Sequence, residues 1–160
     1  MEHAIISGVT HDLSEAKITI THVPDRPGIA ARLFRALADD SVNVDMIVQN
    51  VSTEGHTDIS FTVPRDDVAR TQKAVEQIVD DLEASGFSAD ENVGRVSLVG
   101  AGMKTHPGVA AAMFETLAQE GVNIEMISTS SIRISCVVAS EDVERAVRVL
   151  HVAFELGDDG

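Results

Sequence analysis

Two stretches of the chain join a helix-starting Pro-Gly pair to polar neighbours: Asp25-Arg-Pro-Gly-Ile-Ala30 and Lys104-Thr-His-Pro-Gly-Val-Ala110. The first backbone amides of a helix have no partner within it, and the helix dipole puts partial positive charge there. Together they suit a carboxylate or another small anion. A glycine at that point leaves room for a ligand to come close. The first junction carries Asp25, and the strand after it carries Asp45, Gln49 and Asn50. The second junction carries His106, and the strand after it offers Asn123, Glu125, Thr129, Ser130 and Ser131. A helix start beside an acid is complementary to a zwitterion, so a free amino acid is the ligand these residues suggest. His106, placed before a proline, fits a hydrogen-bonding or spacing role better than proton transfer.

Either junction alone reads more simply as punctuation. Pro-Gly is common at helix starts, and Asp25 and Thr105 could be plain N-caps. Asp45 and Glu125 could be solvated strand residues. Repetition favours a site. The segment 27–50 recurs as 107–130, with eleven of the twenty-four aligned pairs identical. The Pro-Gly pair, the Val-Asn pair (42–43 and 122–123) and the Met-Ile pair (46–47 and 126–127) are all kept, and polar residues follow each Met-Ile. The chain is a duplicated module, and a site in one copy has a potential counterpart in the other.

The elements that must position these residues follow from periodicity. Residues 17–23 alternate and are β-branched, which predicts a strand. Pro27 suits the first position of a helix, and Ile29, Leu33 and Leu37 give that helix its buried stripe. Alternation predicts strands over 42–48 and 59–63, with a turn at Thr53-Glu-Gly-His56 between them. A helix is expected over 65–85, stopped by Gly86, then a short strand over 87–90. The order βαββαβ is a ferredoxin-like split βαβ unit. The second copy repeats it with strands over 95–99, 122–128 and 132–138 and helices over 109–120 and 141–154. It then runs into the polar 157–160 without a fourth strand. Gly100-Ala-Gly102 reads as a loop leaving the strand at Val99. The apolar, β-prone stretch 4–10 is expected to supply the missing edge strand. The fold class is therefore α+β: two antiparallel sheets with helices on one face, the first unit inserted into the second. Residues 16–92 form the first domain, and 1–15 with 93–157 form the second.

Composition removes several function classes. The formal charge is −14, from 12 basic and 26 acidic residues, which argues against nucleic acid and anionic lipid as partners. There is no Trp or Tyr to stack on bases. The six histidines do not fall at metal-ligand spacings, so no metal and no cofactor are expected. The lone Cys136 sits in an alternating apolar run and reads as a buried, inert thiol. Phosphate-binding glycine motifs and nucleophile elbows are missing, so no catalytic residue is assigned. No run reaches membrane-spanning length, and the chain start has no leader character, so the expected compartment is the cytoplasm.

Two longer patterns carry a resemblance. D-x-P-G-x-A…F…L-A…V-N-V-D-M-I-x-Q-N is followed by V-G-x-V-S-L-V-G-A-G-M-x-x-H-P-G-V and V-N-I-E-M-I-S-T-S. They resemble the paired ACT domains of the aspartokinases, and most closely their separate regulatory β subunits. The resemblance covers nearly the whole chain. It implies no kinase activity of the chain's own, a homodimer formed through ACT domains, and association with a catalytic α subunit as α2β2. It also implies binding of threonine and lysine where ACT units pair, with feedback inhibition as the result. Carried onto this sequence, the first site uses backbone at Gly28, Ile29 and Ala30 with side chains of Asp25, Asp45, Gln49 and Asn50. The second uses Gly108, Val109 and Ala110 with Asn123, Glu125, Thr129 and Ser130. Members of the family commonly have an acid where this chain has Ser131, which bears on preference at the second site. The alternative is an ACT amino-acid sensor serving a different biosynthetic enzyme.

Overall fold

The computed structural model describes residues 5–50, 54–102 and 106–156. Expectations that fall on Ala4, Thr53, Lys104, Thr105 and 157–160 lie outside the described residues. The chain divides into two units. One is Ser14–Glu91, and the other is built from the chain on both sides of it, up to Leu13 and from Asn92 onward.

In the inserted unit the strands are β2 (Glu15–Pro24), β3 (Ile47–Gln49), β4 (His56–Pro64) and β5 (Gly86–Asp90), with helices α1 (Ile29–Asp39) and α2 (Val68–Ile78). The sheet order is β3-β4-β2-β5, antiparallel throughout. Alternation sends Ile18 and Ile20 of β2 and Ile59, Phe61 and Val63 of β4 to one side. There they meet Leu33 and Leu37 of α1 and Ala74 and Val75 of α2 in one buried cluster. Both helices thus cover the same face. Phe34 packs edge-on to Phe61, with centroids 5.5 Å apart and planes at 75°, an arrangement worth about 0.5–1.5 kcal/mol beyond the area it buries.

The other unit repeats this plan with one substitution. Its strands are β1 (Ile5–Asp12), β6 (Val93–Ala101), β7 (Met126–Thr129) and β8 (Arg133–Ala139), with helices α3 (Gly108–Gln119) and α4 (Val143–Ala153). The order is β1-β6-β8-β7. Strand β1 takes the place that β5 holds in the first sheet, pairing with β6 from Ile5/Ala101 to Asp12/Arg95. Val96, Leu98, Ile134, Cys136 and Val138 form the core with Met113, Leu117, Ala146 and Leu150. A hydroxyl pair at matching registers marks the duplication: Thr19 with Ser60 at 3.1 Å, and Ser97 with Ser135 at 2.7 Å. Gly94 is required by packing, because a Cβ there would collide with the Val143 side chain and lie 2.9 Å from Leu13 Cδ2.

Several elements differ from the sequence expectation. The helix expected over 65–85 is a 3₁₀ turn at Arg65–Asp67 followed by α2, which ends at Ile78. The apolar period runs on because a tight turn carries Leu82 back into the core. The Leu82 amide donates to the Ile78 carbonyl at 2.8 Å, and Glu83 turns the chain with φ 55°. Gly86 therefore opens β5 rather than stopping a helix. The helix expected over 141–154 is likewise a 3₁₀ turn, Ser140–Asp142, followed by α4. The strand expected over 42–48 has regular pairing only at Ile47–Gln49. The Met46 amide donates to the Thr62 hydroxyl at 3.0 Å, while the Asp45 amide takes the Thr62 carbonyl at 3.0 Å. The Thr62 amide donates in turn to the Met46 carbonyl at 3.0 Å, so two residues of this strand face one of β4 and the ladder is irregular before Ile47. The counterpart expected over 122–128 is regular only from Met126. In the 100–102 stretch, Gly100 and Ala101 still belong to β6, paired with Ile6 and Ile5.

Candidate functional site

The two Pro-Gly pairs lead into their helices differently. At the first, α1 begins at Ile29, and Pro27 lies in the turn before it rather than at the first helical position. Gly28 is the N-cap, with φ 94° and ψ −17°. That left-handed conformation is natural to glycine and strained for other residues. At the second, Pro107 is itself right-handed helical (φ −60°, ψ −24°), and Gly108 is the first residue of α3. In neither helix does a side chain cap the N-terminus, so Asp25 is not the N-cap of α1. The amides of Ala30 and Ala110, within the first turns, have no acceptor inside their helices.

Around the second junction the chain leaves a cleft of about 540 Å³. His106, Pro107 and Ala110 line it from the helix side, and Thr129, Ser130, Ser131 and Ile134 from the strand side. The volume is in the range of small-molecule sites. His106 Nδ1 lies 2.7 Å from the Gly102 carbonyl oxygen. A carbonyl only accepts, so Nδ1 donates, and the ring ties the end of the β6 loop to the start of α3. The Val109 amide donates to the His106 carbonyl at 3.1 Å. Across the cleft, Ser130 shapes the β7–β8 turn. Its amide donates to the Arg133 carbonyl at 2.8 Å, and its hydroxyl accepts from the Ile132 amide at 3.3 Å. Thr129 and Ser131 present exposed hydroxyls.

The first junction is tied to its own neighbours. The Asp25 amide donates to the Gly55 carbonyl at 2.8 Å, and the Ile29 amide reaches the Arg26 carbonyl at 3.4 Å. Arg26 pairs with Glu83 at 2.8 Å and Arg32 with Asp81 at 3.1 Å, both on the surface. Gln49 ends β3 opposite Ile59, and the Asn50 carbonyl accepts from the Thr57 hydroxyl. Because β2 pairs Pro24 with His56, Gln49 and Asn50 lie at the same sheet end as Asp25, Gly28, Ile29 and Ala30.

Asp45 and Glu125 do not. Each precedes Gln49 or Thr129 by four residues on its edge strand, roughly 13 Å at ordinary strand rise. Asp45 sits level with Thr62, and Glu125 level with Val137. Asn123 is farther still from Thr129. The sequence reading assigned these three to the amino-acid sites; strand length separates them from the junction of their own unit. Conversely, Ile134 lines the cleft and was not singled out. Ile134 was legible as an inward residue of an alternating strand, but its register opposite Thr129 was not.

Elsewhere the structure offers little for catalysis. Among the described residues, no group of three His, Cys, Asp or Glu side chains could hold a metal ion. Burial pushes the Cys136 thiol up to about 12, so it stays protonated and unreactive near neutrality. No helix among the described residues is long and apolar enough to cross a membrane.

Comparison with known proteins bears on this geometry. The ACT domain family model matches residues 18–78 and 96–154. Aspartokinase from Mycobacterium tuberculosis is 50% identical over 161 residues, covering 99% of this chain and 38% of the relative. The chain thus spans well under half the length of the curated relatives it matches. A crystal structure of aspartokinase alpha and beta subunits includes a chain 45% identical, with a TM-score of 0.89, covering 94% of this chain and 99% of that one. The ligand-free regulatory subunit of aspartate kinase from Thermus thermophilus is 39% identical with a TM-score of 0.89, covering 93% of this chain and 98% of that one. The chain belongs to the ACT domain family, among the regulatory subunits of aspartate kinase.

Proposed function

We propose that the chain is an allosteric subunit of aspartate kinase that binds the end-product amino acids threonine and/or lysine at its Pro-Gly junctions and imposes feedback inhibition. One observation carries the reading: the second helix start opens onto a hydroxyl-lined cleft with ample room for an amino acid. The Ala110 amide, beside Gly108 and Val109 at the helix start, would receive the ligand's carboxylate. Gly28, Ile29 and Ala30 would do the same at the first junction, flanked by Asp25, Gln49 and Asn50. Asn123, Glu125 and Asp45 would reach a ligand only in the junction of a neighbouring ACT unit.

The partners under this reading are a second copy of the chain, paired through ACT units, and a catalytic alpha subunit in an α2β2 assembly in the cytoplasm. An effector held against a neighbouring unit favours the paired state, and it shifts the kinase only by its differential affinity for the two states. Coupling of about 1–3 kcal/mol gives roughly 5- to 150-fold changes in affinity.

A thermal-shift screen of the purified chain against the twenty amino acids tests the binding, because a ligand of the native state raises the midpoint by mass action. Threonine or lysine should raise it. A flat response to all twenty removes amino acids as ligands. Co-purification with a kinase chain, and loss of end-product inhibition on mixing in Gly108→Asp, test the regulatory half. Full inhibition by that variant counts against the site.

A further inference from the structure

We infer that His22 and His56 form an acid-sensitive latch that fastens the strand end leading into the first junction to the turn facing it. Their rings stack with centroids 3.9 Å apart and planes 8° from parallel. The pair sits where β2 runs into the junction, since Pro24 pairs with His56. His22 occupies the irregular step of β2 between Ile20 and Val23, with φ 55°. A left-handed backbone is costly for a residue with a Cβ, so it persists only where neighbours hold it. Two contacts do so here. The His22 amide donates to Asp58 Oδ1 at 2.9 Å, and its ring lies on His56. Next to His56, the Gly55 carbonyl accepts from the Asp25 amide at 2.8 Å. The stack and that bond thus join the same two segments.

Histidine is the side chain whose ordinary charge change falls between pH 5 and 8. His22 and His56 are the only histidines in the unit Ser14–Glu91, so mild acid acts on this unit through them. Two neutral rings stack, and so do one neutral and one charged. Two imidazolium rings held face to face repel. The charged groups on the segments around the pair are Asp58 on β4, Glu54 in the turn before it, Asp25 and Arg26 after β2, and Glu83 ahead of β5. Arg26 and Glu83 pair with each other. The balance is acidic, so a charged ring that leaves the stack finds carboxylates nearby. Both histidines are exposed and have room to turn. Mild acid therefore parts the rings and loosens the Asp25–Gly55 contact. The second junction has no such pair; its histidine, His106, is bonded to the Gly102 carbonyl.

NMR of the full-length chain at about pH 8 and about pH 5.5 tests the latch. At the higher pH the ring protons of His22 and His56 should show a mutual NOE. At the lower pH that NOE should vanish, and the Asp25 amide, corrected for its unstructured exchange rate, should lose protection about fivefold. His56→Phe keeps a stacked ring with a single titrating partner, so its ring contact and Asp25 protection should be the same at both pH values. A wild-type stack and Asp25 protection that persist unchanged at the lower pH overturn the latch. A loss as large in His56→Phe as in the wild type does so too, because repulsion between two charged rings is then not its cause. No ligand is needed, so failure here leaves amino-acid binding untouched.

Discussion

The two Pro-Gly junctions come from one duplicated module, yet they have become different objects. In the first, Gly28 is left-handed and the loop is bonded to Gly55 and Glu83. In the second, the same dipeptide runs straight into the helix, and an open cleft lies between α3 and the β7–β8 turn. The repeated letters therefore preserve a helix start facing an edge strand, while the residues between them decide the backbone conformation at that start. One and the same motif can need its glycine for backbone conformation in one copy and not in the other.

Four experiments break or sharpen this contrast. The largest effect concerns Cys136, the only cysteine of the chain, which lies in the second unit and so reports on that unit alone. Its thiol is raised from 9.0 to about 12 by burial, so alkylation at pH 8 should be about a thousandfold slower in the folded than in the unfolded chain. Comparable rates would mean that the second unit is open. The same shift sets a pH dependence. Above the unfolded value the unfolded chain ionises while the folded thiol keeps its proton, so the second unit loses stability as pH rises from 9 toward 12.

Next in size, Gly94→Ala forces a methyl into Val143 and should destabilise the second unit by about 1–3 kcal/mol in urea unfolding. The first unit should be untouched. The paired substitutions Gly28→Ala and Gly108→Ala then address the junctions themselves. The first should cost about 1–2 kcal/mol, because alanine is strained at φ 94°. The second should be neutral or stabilising by up to about 1 kcal/mol, because the position is already helical. Equal costs would show that the two helix starts are alike after all. Asp45→Ala should have the smallest effect, within about 0.5 kcal/mol of wild-type stability. It should leave ligand-induced changes at its own junction unaltered in the isolated monomer, since Asp45 lies too far along the strand.

Much of this was legible in the residues. The repeat indicated two units before any element was placed, and the helix stripes and strand alternation predicted the order βαββαβ. What escaped depended on details that periodicity does not encode. The run Ile78, Val79, Leu82 keeps a helical spacing, but Glu83 adopts a positive φ and the last apolar residue is delivered by a turn. The alternation of Val42, Val44 and Met46 reads as strand, but Asp45 and Met46 both bond to Thr62 and regular pairing starts only at Ile47. At the site, residue type suggested which side chains could greet a zwitterion. Distance along the edge strand, invisible without register, decided which of them share a junction.

The way the first unit is inserted has a consequence for how the second assembles. Strands β1 and β6 are partners, yet a complete module separates them in sequence. Within that module Lys17 pairs with Asp90, and just outside it Asp12 pairs with Arg95. Once the inner module has formed, it acts as a clasp that holds the two outer strands side by side. An open loop of some eighty residues becomes a short hinge, and most of the entropy of closing it has already been spent. A destabilised inner module would then delay formation of the outer sheet, even with every outer residue intact.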